Sequence, residues 1–475
     1  MDRELVTTLW GTAIIVVQIA GILHALHAIM HARTPQSAIG WGLALVLLPY
    51  VAIPLYWVFG ESRFAGYTLA GGGCPDLDRA TRDLKAAVAP FDEDFSEKHG
   101  DAARIARNLN GFGPLRGNAV HLLADGHAAF EAIFEAIDSA RKFVVVQFYI
   151  IHDDALGGRL REALLRAAAR GVQCRVLYDS VGSKGLGDAW TRPLREAGVD
   201  VQAFVTNRQF GRRFQVNFRN HRKLVAVDGR IALVGGFNIG DEYLGLGPLG
   251  PWRDTHVRVE GPAATAMLAP FLEDWNYVTR QTPQLPAEVA EAGTRRVLPF
   301  ASGPAQTWHA APGVYIEAIH DVRERLWIAS PYFVPDPATR SALGHAALRG
   351  VDVRILLPSR PDHLLPFLSS FTFYPSMREA GVRIWRYQPG FMHQKVLLAD
   401  SDLAIVGSIN LDYRSFAINF EAAVAVEDRD FAAEVAAMFE KDFENATEED
   451  LWKFEKGSFW FRLKCRMASL VSPEQ

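Results

Sequence analysis

Cysteine, excess charge of one sign and metal-ligand spacings are all scarce in this chain of 475 residues. Its three cysteines, Cys74, Cys174 and Cys465, are odd in number and far apart, so they predict neither a disulfide framework nor a zinc site. The formal net charge of −4 gives no general reason to expect a nucleic-acid partner. No group of histidines, cysteines and carboxylates has the spacing of metal ligands, so we expect neither a metal nor another cofactor.

Charged side chains are missing from two long stretches near the N-terminus. No Asp, Glu, Lys or Arg occurs from Leu5 to Met30 or from Pro35 to Gly60, and each run exceeds the roughly 20 apolar residues that span a bilayer core. The two runs predict a transmembrane hairpin over residues 1–63. A removable signal peptide is the alternative for the first run, which is long for one and lacks a small-residue cleavage site. Pro49 and Pro54 are expected to kink the second helix or make it partly re-entrant.

One short cassette of residues occurs twice in the rest of the chain. The first copy reads NHRKLVAVDGRIALVGGFN and the second reads HQKVLLADSDLAIVGSIN. The shared positions form H-x-K-x4-D, then a Gly-Gly or Gly-Ser pair, then Asn; they are His221, Lys223, Asp228 and Asn238 in the first copy and His393, Lys395, Asp400 and Asn410 in the second. A chance match at five positions is of order one in a million per start site, so the duplication indicates a functional site.

The spacing inside the cassette indicates how its side chains are arranged. His and Lys two residues apart share one face of a strand, and the following LVAV or VLLA predicts that the strand is buried. The Asp and the glycines are expected at turns. Two cassettes face to face would place two imidazoles across two ammonium groups. That arrangement suits phosphodiester chemistry, in which one imidazole attacks phosphorus, the other protonates the leaving oxygen and the cations stabilise the phosphoryl charge.

The doubled cassette is the signature of the phospholipase D superfamily, and its surroundings resemble bacterial cardiolipin synthases of the membrane-anchored type. The resemblance covers nearly the whole chain and includes the strings GNAVHLLADG, LYDSVGS, PWRDTHVRVEGPA, SPYFVPD and NLDYRSFAINFE. It implies that one phosphatidylglycerol loses glycerol to form a phosphatidyl-histidine, which a second phosphatidylglycerol then attacks to give cardiolipin. His221 is the expected nucleophile and His393 the acid and then the base, although the swapped roles stay open.

The same resemblance suggests supporting roles for other polar residues. The two lysines and two asparagines of the cassettes are expected to bind phosphoryl oxygens. Asp254 and Glu421 follow the cassettes and are expected to accept a hydrogen bond from an imidazole Nδ1–H. Their offsets from the cassettes differ, so ordinary surface carboxylates are the alternative. Asp228 and Asp400 belong to the catalytic motif, where hydrogen bonding that holds the motif is the expected role.

Several arginines and two tyrosines are weaker candidates. A group of arginines crowds the approach to His221: Arg208, Arg212, Arg213, Arg219 and Arg222. They indicate either contact with anionic headgroups or a solvated basic face. Arg253 and Arg414 are weaker candidates for headgroup contact, and Tyr149 and Tyr332 either line the pocket or pack in the core.

Helix and strand patterns alternate between the two ends of the chain. Phe130, Ile133, Phe134 and Ile137 recur with helical spacing before FVVVQFYII, which predicts a buried strand. Similar patterns recur in the second half, as in ATRSALGHAALRG followed by VRILLP. The alternation predicts an α/β fold with mainly parallel sheets flanked by helices. Two such phospholipase D-like halves, related by an approximate two-fold axis, would bring both H-x-K strands to their interface.

These patterns divide the chain into five segments. We predict the transmembrane hairpin at 1–63, a juxtamembrane linker at 64–110, the first half at 111–290, the second half at 291–448 and a C-terminal tail at 449–475. The tail interleaves aromatic and basic residues, which predicts a segment lying on an anionic membrane. A C-terminal helix packed on the body is the alternative.

The sequence leaves rival functions open. A phospholipase D would hydrolyse the same linkage, and a membrane-tethered nuclease would need a basic stripe with stacking aromatics that the sequence lacks. A non-catalytic lipid-binding scaffold is disfavoured because both motifs are intact. Expected partners are phosphatidylglycerol, other anionic phospholipids and the membrane, with no nucleic acid; phosphatidylethanolamine as acceptor and a homo-oligomer both stay open. The resemblance implies a multi-pass protein of the bacterial inner membrane with a cytoplasmic catalytic body.

Overall fold

The computed structural model describes residues 3–32, 35–60, 64, 67, 74–206 and 217–470. The chain forms two compact units. The first unit comprises Met1–Leu69 and Val205–Arg219, and the second comprises Ala70–Phe204 and Asn220–Gln475.

The first unit contains the apolar N-terminal helices. The helix Arg3–His31 includes the stretch Val6–His31, which among the described residues is the one helix long and apolar enough to cross a membrane. The second apolar run forms two shorter helices, Pro35–Leu47 and Pro49–Phe59. The interruption expected from the prolines therefore occurs before Pro49, as a break between two helices, whereas Pro54 lies inside the second of them.

The break in the second run has a local cause at Leu48. Leu48 leaves the helical region, with φ −133° and ψ 53°, because the ring of Pro49 disfavours a helical residue before it. Pro49 then begins the next helix, where its missing N–H costs nothing. A side-chain hydrogen bond connects the first and third of these helices, in which Trp57 Nε1 donates to His24 Nε2 at 2.9 Å.

The second unit is built on strands that fall into two successive series, one in each half. The first series is β1 (Leu115–Leu123), β2 (Phe143–Phe148), β3 (Gln173–Asp179), β4 (Asp200–Phe204), β5 (Leu224–Val227), β6 (Ile231–Gly235), β7 (Trp252–Arg253) and β8 (His256–Glu260). The second series is β9 (Arg295–Ser302), β10 (Arg325–Ala329), β11 (Phe333–Val334), β12 (Asp352–Pro358), β13 (Arg383–Tyr387), β14 (Phe391–Met392), β15 (Val396–Ala399), β16 (Leu403–Gly407), β17 (Leu411–Asp412), β18 (Glu421–Glu427) and β19 (Ala446–Glu448).

Fifteen of these strands form one sheet with a repeated order. The order is β19-β13-β12-β10-β15-β16-β18-β9-β1-β8-β6-β5-β2-β3-β4. The edge strand β19 has no counterpart in the first half. Without it, the first half runs 4-3-2-5-6-8-1 and the second runs 13-12-10-15-16-18-9 from the outside to the centre, so the two halves have matching topology around the β1–β9 pair. The expected two-fold relation is visible in this order, but the two halves share one hydrogen-bonded sheet instead of forming two.

The sheet is mixed, whereas the sequence pattern predicted mainly parallel strands. Parallel pairing occurs where helices cross over between strands, in β2–β3–β4 and in β10–β12–β13. The cassette strands instead form tight antiparallel hairpins, β5–β6 and β15–β16. These hairpins turn at Asp228 and Asp400, whose φ angles are 53° and 52°.

Helices cover the sheet and give each half its own buried apolar cluster. The helices of the second unit with five or more residues are Pro75–Val88, Gly100–Asn110, Gly126–Ser139, Ala155–Ala169, Asp188–Glu196, Pro262–Ala266, Leu268–Thr279, Ala310–Asp321, Pro337–Leu348, Leu364–Ser370, Tyr374–Ala380, Tyr413–Ala417, Arg429–Glu444 and Phe459–Ser469. A four-residue helix, Lys453–Lys456, precedes the last of them. The stripe at Phe130, Ile133, Phe134 and Ile137 lies buried on the helix Gly126–Ser139, as its spacing predicts.

The C-terminal helix packs on the body with one side only. Cys465 joins the apolar cluster of the second half, as does Phe454 of the preceding short helix, and the Phe461 ring lies 5.3 Å from that of Phe371. Its other side exposes large apolar side chains, including Trp460. The alternative prediction for the tail, a helix packed on the body, is therefore correct for one side of this helix. The other side faces away from the body.

Candidate active site

Both H-x-K segments lie in extended chain just before their strands. His221 and Lys223 precede β5, which begins at Leu224, and His393 and Lys395 precede β15, which begins at Val396. The expectation that the motif lies within the strand is corrected by a few residues. Each lysine folds back on its own motif, since Lys223 Nζ donates to the His221 carbonyl at 2.7 Å and Lys395 Nζ donates to the His393 carbonyl.

The main chain fastens each histidine to the opposite half. His221 N donates to the carbonyl of Phe420 at 2.9 Å, and His393 N donates to the carbonyl of Arg253 at 2.8 Å. The second contact extends the short parallel pair β7–β14. The acceptor in each case directly precedes a carboxylate residue in the sequence, so the backbone delivers that carboxylate to the imidazole.

The histidine and carboxylate pairs cross between the halves. His221 Nδ1 lies 2.9 Å from both carboxylate oxygens of Glu421, and His393 Nδ1 lies 2.5 Å from Asp254 Oδ2. All four side chains are buried. With Nδ1–H donated to a carboxylate, each imidazole keeps its Nε2 for the reaction. The sequence identified both carboxylates, and the structure adds that each serves the histidine of the other half.

The two carboxylates have different surroundings. Glu421 also accepts from the hydroxyl groups of Ser408 and Ser415 and from Asn419 Nδ2. Asp254 accepts from Thr255 N at 2.8 Å. At the position of Ser408 the first cassette has Gly236, where a Cβ atom would collide with the Asp254 carboxylate.

The surroundings give the two pairs different proton affinities. Burial lowers the pKa of His221 to about 4, against the opposing pull of Glu421. Burial opposes the charge of Glu421, yet His221 and Lys223 hold the pKa of that carboxyl below its ordinary value. Burial raises the pKa of Asp254 and lowers that of His393 well below its usual range. The anionic form is thus favoured for Glu421, whereas the pKa of the Asp254 carboxyl is raised above its ordinary value.

The two lysines supply positive charge to both halves of the cluster. Lys223 and Lys395 are fully buried, and each lowers the pKa of both His221 and His393. Burial in turn lowers the pKa of Lys223 well below its usual range and that of Lys395 to about 8. His221 also lowers the pKa of His393 by its charge, so the four groups act as one electrostatic cluster. An anion placed among them would relieve this repulsion.

The remaining cassette residues occupy supporting positions. Asn238 accepts from Ile150 N at 3.2 Å and donates to the Tyr243 hydroxyl at 3.0 Å, while Asn410 is buried with Oδ1 lacking a hydrogen-bond partner among the described residues. Asp228 and Asp400 lie at the far ends of β5 and β15 from the histidines. Asp228 accepts from the N–H groups of residues 141–143, and Asp400 accepts from those of residues 323–325. These carboxylates therefore fix the backbone where the neighbouring strands β2 and β10 begin.

The structure does not support direct headgroup contacts for two of the candidate arginines. Arg222 is buried, and its Nη1 donates to Asp274 Oδ2 at 2.6 Å. Arg253 binds both oxygens of Asp442, at 2.8 and 2.9 Å, and also donates to the carbonyl of Asp254.

Two further candidate arginines lie outside the buried pairs. Arg414 lies half-buried on the helix Tyr413–Ala417. Arg219 belongs to the first unit, where its Nη1 donates to the carbonyl of Phe218. Arg208, Arg212 and Arg213 lie outside the described residues.

Aromatic side chains border the histidines. The Tyr149 ring lies 5.1 Å from that of His221, and its face lies 5.5 Å from Lys223 Nζ. Tyr332 donates to Asp362 at 2.6 Å, and the charge of Asp362 reaches Lys395. Sequence reasoning missed Tyr243, whose hydroxyl lies 3.3 Å from His393 Nδ1, and Trp252, whose ring lies 5.1 Å from that of His393. Neither falls in a cassette, so no spacing marked them.

Comparison with known proteins places this arrangement in a family. A family model described as "Cardiolipin synthase, PLD-like domain" matches residues 133–265 and 315–443. Proteins named cardiolipin synthase A from Pseudomonas entomophila (strain L48) and Pseudomonas putida (strain KT2440) are each 44% identical over 98% of this chain and 98% of their own. The crystal structure of a phosphatidylserine synthase from Haemophilus influenzae Rd KW20 covers 79% of this chain and 100% of its own, with a TM-score of 0.62 and 15% identity, and so shares the fold. The chain therefore belongs to the cardiolipin synthase family of the phospholipase D superfamily.

Proposed function

We propose that this protein is a cardiolipin synthase that transfers a phosphatidyl group between two phosphatidylglycerol molecules. The observation that carries the proposal is the crossed pairing of His221 with Glu421 and of His393 with Asp254, at 2.9 and 2.5 Å. This pairing leaves two Nε2 atoms and two lysine cations available for one phosphodiester. The relatives that share 44% identity are named for the same activity.

The first half-reaction exchanges one bond at phosphorus for another. His221 Nε2 attacks the phosphorus of the first phosphatidylglycerol, forming a P–N bond, and the bond to the glycerol headgroup oxygen breaks. His393 donates its proton to that oxygen, so glycerol leaves as the neutral alcohol. Lys223 and Lys395 hold the phosphoryl oxygens throughout, and Asn238 and Asn410 have the same role by resemblance to the family.

The second half-reaction reverses the proton transfer. His393, now neutral, removes the proton from a free hydroxyl of the second phosphatidylglycerol. The resulting oxygen attacks phosphorus and the P–N bond breaks, which gives cardiolipin and returns His221. Water in place of the lipid alcohol would give phosphatidic acid, so the yield of cardiolipin depends on keeping water from the phosphatidyl-histidine.

The assignment of roles follows from the two carboxylates. Glu421 stays anionic, so it stabilises the positive charge that His221 gains as nucleophile. Asp254 has a raised pKa and shares a 2.5 Å hydrogen bond with His393, which suits a pair that holds and releases a proton. The bound phosphodiester anion would raise the proton affinity of His393, which burial lowers in the empty site.

The segments outside the catalytic unit fit a membrane enzyme. The stretch Val6–His31 anchors the chain in a membrane. We further propose that residues 1–63 form a multi-pass hairpin in the bacterial inner membrane, with the catalytic body in the cytoplasm, and that the segment boundaries given above apply.

Product analysis with the purified full-length protein tests the proposal. Wild-type protein in detergent is incubated with labelled phosphatidylglycerol, and cardiolipin, glycerol and phosphatidic acid are measured. We expect cardiolipin and glycerol in equal amounts, with both lost in His221→Ala and in His393→Ala. Phosphatidic acid as the main product would assign a hydrolase instead, and full cardiolipin synthesis by either variant would overturn the mechanism.

A further inference from the structure

Two neighbouring helices of the catalytic unit expose large apolar side chains. Leu364 and Leu365, on the helix Leu364–Ser370, are 62% and 52% exposed. On the C-terminal helix Phe459–Ser469, Phe459 and Trp460 are 63% and 69% exposed. The two helices contact each other, and Phe371 directly after the first touches Phe461 on the second.

The exposed apolar residues of the C-terminal helix lie on one side of it. At 100° per residue, Phe459, Trp460, Leu463 and Met467 fall within an arc of about 100°. Cys465 and Ala468, which are buried against the body, point the opposite way. The exposed arc is therefore a consequence of the amphipathic sequence and not of fraying at the end of the chain.

Positive charge borders this arc. Arg462, Lys464 and Arg466 are exposed, and the helix contains no Asp or Glu. By the same rotation, Arg462 and Arg466 lie on one side of the arc and Lys464 on the other. An apolar strip flanked by cations is the pattern of a helix that lies in the interface of an anionic bilayer.

The first of the two helices also lies next to the candidate active site. Asp362 and His363 immediately precede Leu364, and Tyr332 donates to Asp362 at 2.6 Å. The charges of these two residues act on Lys395 and His393 respectively. A surface that touches lipid here would hold the site where a phospholipid headgroup leaves the bilayer.

We propose that Leu364, Leu365, Phe459, Trp460, Leu463 and Met467 form a docking face that inserts into the interface of an anionic phospholipid bilayer beside the active site. The advantage of this docking face rests on the proposed function, because both substrates of the transfer are bilayer lipids. Insertion lets a headgroup pass from the bilayer to the histidines with little exposure to water, which favours transfer over hydrolysis.

The chain offers a matched control for this face. Leu348 is 69% exposed and ends the helix Pro337–Leu348. It lies before β12 begins at Asp352, whereas Leu364 follows the end of that strand at Pro358. The ends of this seven-residue strand are about 20 Å apart. The same substitution at Leu348 therefore changes an exposed leucine away from the site.

Fluorescence quenching tests insertion directly. Full-length Leu364→Cys and Leu348→Cys are labelled with a polarity-sensitive dye, in a background with Cys74→Ser, and placed in nanodiscs of phosphatidylglycerol and phosphatidylcholine. Lipids with a quencher near the headgroup should quench the dye at position 364 at least about threefold more than at position 348. Equal quenching at the two positions would overturn the proposal. This is also the result expected if the face binds another protein and not lipid.

Turnover measurements then separate docking from chemistry. Leu364→Glu combined with Leu365→Glu should lower turnover of phosphatidylglycerol in vesicles by about tenfold, because the carboxylates resist burial among acyl chains and are repelled by anionic headgroups. Turnover of soluble short-chain phosphatidylglycerol should stay unchanged, and Leu348→Glu should alter neither rate. Equal loss on both substrates, or no loss in vesicles, would contradict docking. If neither the wild type nor any variant makes cardiolipin, the proposed function fails. Quenching at position 364 would still support the docking face in that case.

Discussion

His221 receives its carboxylate partner from the other half of the chain, with both oxygens of Glu421 2.9 Å from its Nδ1 atom. The reciprocal contact joins His393 to Asp254. Neither half therefore contains a complete site. Each half supplies one imidazole with its lysine and the carboxylate that orients the imidazole of the other.

This relationship predicts a severe defect in Glu421→Gln. The amide would remove the negative charge that stabilises His221 and would favour the wrong tautomer, so kcat should fall by about 10²- to 10⁴-fold. Combining Glu421→Gln with His221→Ala should cost no more than His221→Ala alone, because the two residues act as a unit. Steady-state kinetics with phosphatidylglycerol measure both effects.

Glu427→Gln provides the control on the same strand. Glu427 is also buried on β18, but it binds Ser96 and Arg296 and not a histidine. We expect this variant to lose stability and keep its kcat. Equal loss of kcat in the two glutamate variants would show that Glu421 acts on the fold alone.

Asp228→Asn should affect stability and leave the chemistry intact. Its carboxylate accepts from three consecutive N–H groups, and an amide would turn an N–H donor toward one of them. The free energy of unfolding should fall by about 1–3 kcal/mol. Thermal unfolding in detergent and kcat on the folded fraction measure the two quantities separately.

Asp125→Asn is the matched control for that variant. Asp125 caps the helix Gly126–Ser139 through Ala128 N, and asparagine caps a helix equally well, so its effect should stay below about 0.5 kcal/mol. A large loss of kcat in Asp228→Asn at full folding would instead assign this carboxylate to the reaction.

The pH profile should report Lys395. Burial lowers the pKa of this ammonium to about 8, so the group is charged below that pH and neutral above it. Since the charged form binds the phosphoryl oxygens, kcat/KM should fall as the pH rises through about 8. A profile that stays level to pH ~10 would place the binding charge elsewhere.

Tyr243→Phe should weaken catalysis without changing the fold. The hydroxyl accepts from Asn238 Nδ2 at 3.0 Å and lies 3.3 Å from His393 Nδ1, so its removal leaves that imidazole less firmly held. We expect a loss of about tenfold in kcat with little change in KM. Tyr374→Phe, which removes a buried hydroxyl bound to Arg386, is the control and should keep its kcat.

The sequence predicted the parts of the site that repeat. The two cassettes share spacing as well as residue type, and strand–helix alternation predicted the α/β class. The crossed pairing was not predictable. His221 and Glu421 are 200 positions apart in the sequence, His393 and Asp254 are 139 apart, and each carboxylate lies outside the cassettes. The backbone contacts between the halves, from His221 N to the Phe420 carbonyl and from His393 N to the Arg253 carbonyl, set which carboxylate meets which histidine, and they appear only in the folded chain.

Burial decided the outcomes that the sequence misjudged. Arg222 stands beside the nucleophile in sequence, but Asp274 on the helix Leu268–Thr279 binds it inside the protein. A charge count near a motif does not reveal such a partner 52 residues away. By contrast, the break at Leu48 was foreseeable, because the sequence analysis expected Pro49 to interrupt the second apolar run.

The most direct test of the account is mass spectrometry of His393→Ala after brief reaction with a phosphatidyl ester of p-nitrophenol, a leaving group that needs no acid. Without the base of the second step the intermediate should accumulate, as one phosphatidyl group on the peptide that contains His221. The same adduct should be absent when His221→Ala is added. A variant that releases p-nitrophenol with no adduct, or an adduct found on any residue other than His221, would contradict the mechanism.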